Sequence, residues 1–236
     1  MKKITAAITG VGAYLPDYLL TNDELSRMVD TSDEWIMTRI GIKTRHILKG
    51  EALGTSCMGV KAVRDLLEKK NMNPEEIDLV ICATVTPDMF FPSTGNLIAG
   101  EAGCKKAFAY DVSAACSGFL FALTTASKFI ETGTCKKVIV VGADKMSSIV
   151  DYTDRGTCIL FGDGASAAVY RATEDDNLGI QSTFVAADGS GAEYLRMEAL
   201  PVEDPFAEDR TVDPKARFLK MQGAAVVRFT ARAVPQ

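Results

Sequence analysis

Three short apolar runs, separated by segments with helical spacing, constrain this chain more than any other feature. Residues 78–86 (DLVICATVT) form an apolar run with a β-branched bias, and 106–112 and 137–143 (KVIVVGA) read as two further core strands. Runs of that length and character read as buried strands. Between them, residues 55–69 place Gly59, Ala62, Val63, Leu66 and Leu67 on one face, with Lys61, Arg64, Asp65 and Glu68 opposite. That spacing predicts an amphipathic helix. Residues 94–102 predict a second helix. Residues 116–132 predict a third, which opens with Phe119, Leu120, Phe121, Ala122 and Leu123. A start that is apolar on every side predicts a buried helix, and Gly133 follows in the capping position. Strands alternating with helices in this way predict βαβ units and a parallel sheet.

The flanking segments extend the pattern. Residues 4–14 read as a strand, and Asn22-Asp23-Glu24 opens a short helix with Leu25, Met28 and Val29 on one side. The opening MKKITAAITGVGAYLP is broken by Thr5, Thr9 and Gly10. A strand is therefore expected there rather than a secretory leader, with the cytoplasm as the default location. Residues 165–173 and 179–187 predict two adjacent strands in a hairpin-like arrangement. Residues 188–215, with Gly, Pro, acidic side chains and no period, predict a long loop. Residues 218–221 then predict a strand and 223–234 a helix. The expected organisation is a first region over 1–173 and a second over 174–236, made of a hairpin, a long loop and the start of another α/β unit. A chain that ends just after opening a new unit is expected to be incomplete.

Composition excludes several functions. Hydrophobic residues make up 47% and charged residues 24%, as in globular proteins. A net charge of −5 argues against a nucleic-acid surface, and no apolar run approaches the roughly 18 residues of a membrane helix. Cysteines stand at 57, 82, 104, 116, 135 and 158, without a C-x-x-C pair, and the chain has one His. No metal site and no disulfide framework are expected. The default reading of each Cys is a buried free thiol.

One segment stands apart. In DVSAACSGF, residues 111–119, a predicted strand ends near Val112 and the apolar helix follows at once. Small residues Ala114, Ala115, Ser117 and Gly118 surround Cys116, so the backbone turns tightly beside a thiol at a helix N-terminus. The partial positive charge there favours a thiolate, and free N–H groups there stabilise an oxyanion. Cys116 thus reads either as a nucleophile or as a structural thiol at a packing point. Gly162-Asp163-Gly164 with Ala167 matches G-x-G-x-x-A but leads into a strand-like AAVY run, which excludes dinucleotide-binding geometry. Around Ser166 the sequence misses G-x-S-x-G. Arg39, Arg45 and Arg155 read as bidentate phosphate ligands or as solvated charges. His46 reads as a surface or structural residue, and Trp35 as a packed aromatic unless context adds a role.

Taken together, DTSDEWIMTRIGI (30–42), FFPST (90–94), DVSAACSGF (111–119), VVGADKMSS (140–148) and YTDRGTCILFGDGA (152–165) resemble the β-ketoacyl-acyl-carrier-protein synthase III family. The resemblance runs from about residue 4 to about residue 230. It implies a thiolase-like layered α/β fold, with the N-terminal half complete and the second half only begun. It also implies condensation of an acyl-CoA primer with malonyl-acyl-carrier-protein, acetyl-CoA being the expected primer. By resemblance, Cys116 is the nucleophile. Trp35 and Arg155 hold the CoA adenine, and Arg39 contacts CoA. Phe91 belongs to the acyl pocket across a homodimer interface, and Met146, Phe161 and Leu219 line that pocket. Gly223 lies near the pantetheine. Arg228 stands at a basic position where Lys is usual, and Val227 where Phe is common. Acyl-CoA is a substrate, so no cofactor is expected; the implied partner is acyl carrier protein, in the cytoplasm. The family's active-site His, in a Pro-His-Gln-Ala-Asn segment, and a later Asn have no counterpart in these 236 residues. The alternative expectation is a natural short or degenerate homologue that does not condense and acts as a subunit or is inactive.

Overall fold

A computed structural model describes residues 4–175, 177–198 and 213–233. In chain order the elements are β1 (Thr5–Tyr14), β2 (Tyr18–Thr21), α1 (Asn22–Leu25), α2 (Asp33–Ile40), β3 (Thr44–Ile47) and α3 (Thr55–Lys69). Next come β4 (Leu79–Ala83), α4 (Thr94–Glu101), β5 (Phe108–Val112), α5 (Gly118–Glu131) and β6 (Lys137–Lys145). The last are α6 (Arg155–Cys158), β7 (Asp163–Thr173), β8 (Leu195–Arg196), β9 (Lys220–Met221) and α7 (Gly223–Ala233). Contacts divide the chain into two compact units, interleaved in sequence.

The first unit comprises Met1–Tyr18, His46–Lys145 and Asp163–Val185. Its sheet has five strands in the order β1-β7-β6-β4-β5. The alternation of side chains along each strand builds two cores. Val80 and Cys82 of β4, Ile139 and Val141 of β6, and Val169 of β7 face Met58, Ala62 and Leu66 of α3 and Ile98 of α4. Leu79 and Ile81, Val138 and Val140, and Tyr170 face Ala122, Ala126 and Ile130 of α5. The result is helix, sheet, helix. Each fully buried side chain such as Ile81 contributes about 1.5–3 kcal/mol relative to exposure. β1 lies close to α3: a Cβ on Gly12 would sit 2.4 Å from the Ala62 carbonyl oxygen, so only glycine fits there.

Three expectations need correction. The sheet is mixed: β5 and β6 run parallel to β4, but β7 is antiparallel to both β6 and β1. Long-range pairing of the first strand with β7 leaves no local sequence signal. Residues 179–187 are not a strand, because β7 already has β6 on one edge and β1 on the other. Ile180 donates to the Ala6 carbonyl at 3.1 Å, and that segment continues without strand pairing. Finally, α5 is not buried all round. Leu120 is 58% exposed, while Ala122, Ala126 and Ile130 pack on the sheet.

The second unit comprises Leu19–Arg45, Met146–Gly162 and Ala186–Gln236. It contains α1, α2 and α6, the ribbon in which Leu195 of β8 pairs with Met221 of β9, and α7. The predicted strand over 218–221 and helix over 223–234 are seen as β9 and α7. The central part of the expected loop, 199–212, lies outside the described residues. No helix among the described residues is long and apolar enough to cross a membrane.

Candidate active site

Because β4, β5 and β6 run parallel, their carboxyl ends share one edge of the sheet, where α/β proteins place ligands. Carboxylates brace this edge. Asp144, near the end of β6, accepts from Thr84 Oγ1 at 2.9 Å, Val85 N–H at 2.8 Å, Thr86 N–H at 3.2 Å and Thr86 Oγ1 at 2.9 Å. Asp111, near the end of β5, accepts from the Thr94 and Gly95 N–H groups at 2.7 Å each, which satisfies the start of α4. Asp88 accepts from Ser56 N–H and Oγ at 2.8 Å each, at the start of α3.

Cys116 stands just beyond β5 at this edge. A single 3₁₀ turn, Ala115–Ser117, carries it into α5. Ala115 has φ +45°, a left-handed conformation that is strained for a residue with a Cβ. Ser117 at the N-cap of α5 makes no side-chain capping bond, so first-turn N–H groups are not spent on it. Of the six cysteines, Cys116 alone is exposed. Burial pushes the Cys104 thiol up to about 11, and raises Cys82, Cys135 and Cys158 as well. These four are the small hydrophobes expected of most cysteines here, and Cys57 is half-buried in α3. Phe91, in the same unit, is 85% exposed on the loop that follows β4, beside exposed Phe90 and Met89.

The second unit brings three expected residues together. The Arg155 guanidinium lies 5.0 Å from the Trp35 ring centroid, and that of Arg39 lies 5.8 Å from it. Arg155 Nη1 also donates to the Asp30 carbonyl at 2.9 Å. Local sequence builds the platform. Ser32 caps α2 by accepting from Trp35 N–H at 3.1 Å, and Gly41 at φ +71° ends it. Asp154 caps α6, which begins with Arg155. Met146, Phe161 and Leu219 are half-buried in this unit, and the Leu219 N–H donates to the Ile149 carbonyl at 2.8 Å. Gly223 opens α7, which carries Arg228 on its exposed surface.

Arg45 departs from the phosphate-ligand and solvated-charge readings, and His46 takes the structural rather than the surface reading. Arg45 is only 3% exposed, and its guanidinium is engaged by the Ile159 carbonyl and by Asn22 Oδ1. It is an internal tie, unavailable to a phosphate. His46 is half-buried with Nδ1 2.5 Å from the Pro16 carbonyl oxygen. Asp88, Asp111 and Asp144, and the internal role of Arg45, escaped sequence reasoning, since no local pattern marks a side chain whose partners lie in distant segments.

Solved structures with this architecture are close. The chain aligns with 3-oxoacyl-[acyl-carrier-protein] synthase III from Aquifex aeolicus at TM-score 0.84 and 42% identity, covering 95% of this chain and 67% of that one. It aligns with the priming β-ketosynthase of the R1128 polyketide pathway at TM-score 0.88 and 36% identity, covering 99% and 68%. The fold is that of a thiolase-like condensing enzyme. Residues 110–189, which include the Cys116 turn, match the family model described as 3-oxoacyl-[acyl-carrier-protein (ACP)] synthase III. Over 234 residues the chain is 51% identical to beta-ketoacyl-[acyl-carrier-protein] synthase III 2 of Bacteroides thetaiotaomicron, covering 99% of this chain and 69% of that protein. It is 52% identical over 229 residues to the synthase III of Phocaeicola vulgatus, covering 97% and 68%. The chain belongs to the β-ketoacyl-acyl-carrier-protein synthase III family.

Proposed function

We propose that this chain takes part in the initiating condensation of fatty acid biosynthesis, with Cys116 as the acyl acceptor. The observation that carries this reading is the exposure of one thiol, Cys116, on a strained turn at the carboxyl edge of the sheet. The Cys116 thiolate attacks the thioester carbonyl of an acyl-CoA primer. The carbonyl π electrons move onto oxygen, where first-turn N–H groups of α5 stabilise the charge. Collapse of that intermediate breaks the bond to the CoA sulfur. CoA leaves as its thiolate, and acyl-Cys116 remains. Malonyl-acyl-carrier-protein then loses CO₂, and the resulting enolate attacks the acyl-Cys116 carbonyl. This yields 3-oxoacyl-acyl-carrier-protein and regenerates the Cys116 thiolate. The reading assigns no cofactor.

In this reading Trp35 and Arg155 hold the CoA adenine, Arg39 contacts CoA, and Gly223 and Arg228 lie along the pantetheine and carrier-protein approach. Phe91, Met146, Phe161 and Leu219 bound the acyl pocket, Phe91 reaching across a homodimer. A short acyl primer, acetyl-CoA, suits that set of side chains. The enzyme acts in the cytoplasm on acyl carrier protein.

The two half-reactions differ in what they ask of these 236 residues. Acylation needs a thiolate and an oxyanion site. Condensation also needs donors at the malonyl thioester oxygen, and loss of one such donor costs about 10²–10³ in rate. The one His of these residues, His46, is engaged with the Pro16 carbonyl. The 236-residue polypeptide alone is therefore expected to release CoA from acyl-CoA once per Cys116, with no condensation product. A free-thiol assay run with and without malonyl-acyl-carrier-protein tests this. One equivalent of CoA in both runs supports the reading, and no CoA release in either overturns it.

A further inference from the structure

The two side chains of the Trp35–Arg155 stack stand on short helices, α2 of eight residues and α6 of four. Helices this short do not hold their own geometry in water. What fixes them relative to each other within the second unit is a chain of polar contacts that begins at β3, buried at Arg45 and Asn22 and reaching the surface at Asp33. Arg45 Nε donates to the Ile159 carbonyl at 2.9 Å, and Nη2 donates to the same oxygen. Ile159 is the C-cap of α6, so the guanidinium holds the end of the helix that Arg155 begins. On its other side, Arg45 Nη1 donates to Asn22 Oδ1 at 2.5 Å. Asn22, itself only 2% exposed, passes the connection on. Its Nδ2 donates to Asp33 Oδ1 at 2.7 Å and to the Ile42 carbonyl at 3.0 Å. Asp33 is the first residue of α2, two positions before Trp35, and Ile42 follows the cap of that helix.

We infer that Arg45 is a positioning residue for the Trp35–Arg155 stack, joining α6 through Ile159 and both ends of α2 through Asn22. A lysine keeps the charge but lacks the planar fork that reaches a carbonyl and an amide oxygen together. Burial of a guanidinium is unfavourable unless it finds acceptors, and here Nε, Nη1 and Nη2 all donate, to the Ile159 carbonyl at the end of α6 and to Asn22 of α1, which in turn holds α2. The direct Arg155–Asp30 bond adds a second constraint, so loss of Arg45 loosens the stack without abolishing it. The consequence for CoA rests on the function proposed above; the geometric claim does not.

Trp35 is the only tryptophan, so emission excited beyond the tyrosine absorption band reports on this stack. The test compares acrylamide quenching of Trp35 in the wild type, Arg45→Lys, Arg45→Met, Asp33→Ala and Glu34→Ala, each checked for folding by far-UV circular dichroism. Arg45→Lys and Arg45→Met are expected to raise the quenching constant about twofold or more, and Asp33→Ala to raise it by less. Glu34→Ala, which alters the same helical turn outside the chain of contacts, is expected to match the wild type. Should the Arg45 variants fail to fold, Asp33→Ala, at an exposed position, decides the matter. Wild-type quenching in the folded variants of Arg45 and Asp33 overturns the inference, as does an equal change in Glu34→Ala. A CoA titration of the same samples separates the two claims. If CoA leaves wild-type emission unchanged, the CoA reading fails while the Arg45 dependence still stands. If CoA binds, Arg45→Lys is expected to weaken it about threefold to tenfold, the range of a lost cation–π alignment.

Discussion

Arg155 holds its guanidinium 5.0 Å from the centre of the Trp35 ring, although 120 positions of chain separate the two residues (155 − 35). Each sits in the first turn of a capped helix, Trp35 behind Ser32 and Arg155 behind Asp154. A flat aromatic ring beside a planar cation is a surface onto which a nucleobase stacks. Arg155→Gln is expected to weaken CoA binding about threefold to thirtyfold, corresponding to roughly 0.5–2 kcal/mol. Isothermal titration with CoA checks it. The maximal rate of Cys116 acylation at saturating acyl-CoA is expected to stay within about twofold of the wild type, because the CoA contact proposed for the stack does not involve the reacting atoms.

The cysteines are expected to react in an order set by exposure and by thiolate content. Cys116 is exposed, whereas burial holds Cys104 at about 11 and raises Cys82, Cys135 and Cys158. With limiting iodoacetamide on native protein near pH 8, Cys116 is expected to carry the first label. Peptide mapping measures it, and early labelling of Cys104 or Cys82 contradicts the burial described here.

Packing predictions follow from the β1–α3 contact and from the centre of the sheet. Gly12→Ala drives a methyl group into the Ala62 and Leu66 backbone at 2.4 Å and 2.5 Å. A backbone neighbour cannot rotate away, so a loss of about 1–3 kcal/mol is expected. Ile81→Ala, fully buried against α5, is expected to cost about 2–5 kcal/mol. Urea midpoints of the two variants measure both losses.

Acid sensitivity has a named contributor. The Thr153 hydroxyl, then the Thr153 N–H, then Lys215 hold the Asp151 carboxyl down to about 2. An unfolded aspartate carboxyl titrates at about 3.9. Since the folded value is the lower one, Asp151 stabilises the fold above about pH 4, and the contribution is lost as pH falls toward 2. Asp151→Asn is expected to be less stable than the wild type at neutral pH, with the gap closing between about pH 4 and pH 2. Denaturant titrations at a series of pH values measure this.

Much of this fold was legible wherever one face of an element is buried. Helix α3 falls over 55–69 as expected, because Ala62, Val63, Leu66 and Leu67 are all buried in the core it shares with the sheet. The strand–turn–helix around Cys116 was legible because small residues there let the backbone turn tightly between an apolar strand and an apolar helix. Legibility failed where partners are remote. Nothing near Ile8 announces its antiparallel pairing with Tyr170. The run at 179–187 was expected to pair beside 165–173, but β7 has no free neighbour to offer it. Arg45 looks like its surface counterparts Arg39 and Arg155 until its burial beside Asn22 is seen. Asp144 gains its meaning only from Thr84 and Thr86, some sixty positions away.

Acylation of Cys116 tests the central claim most directly. The protein is incubated with acetyl-CoA, quenched, and read by intact mass and then by peptide mapping. The account predicts one acyl group per chain, on the peptide that contains Cys116, and none in Cys116→Ala. An acyl group on another cysteine, or equal uptake by Cys116→Ala, would contradict it.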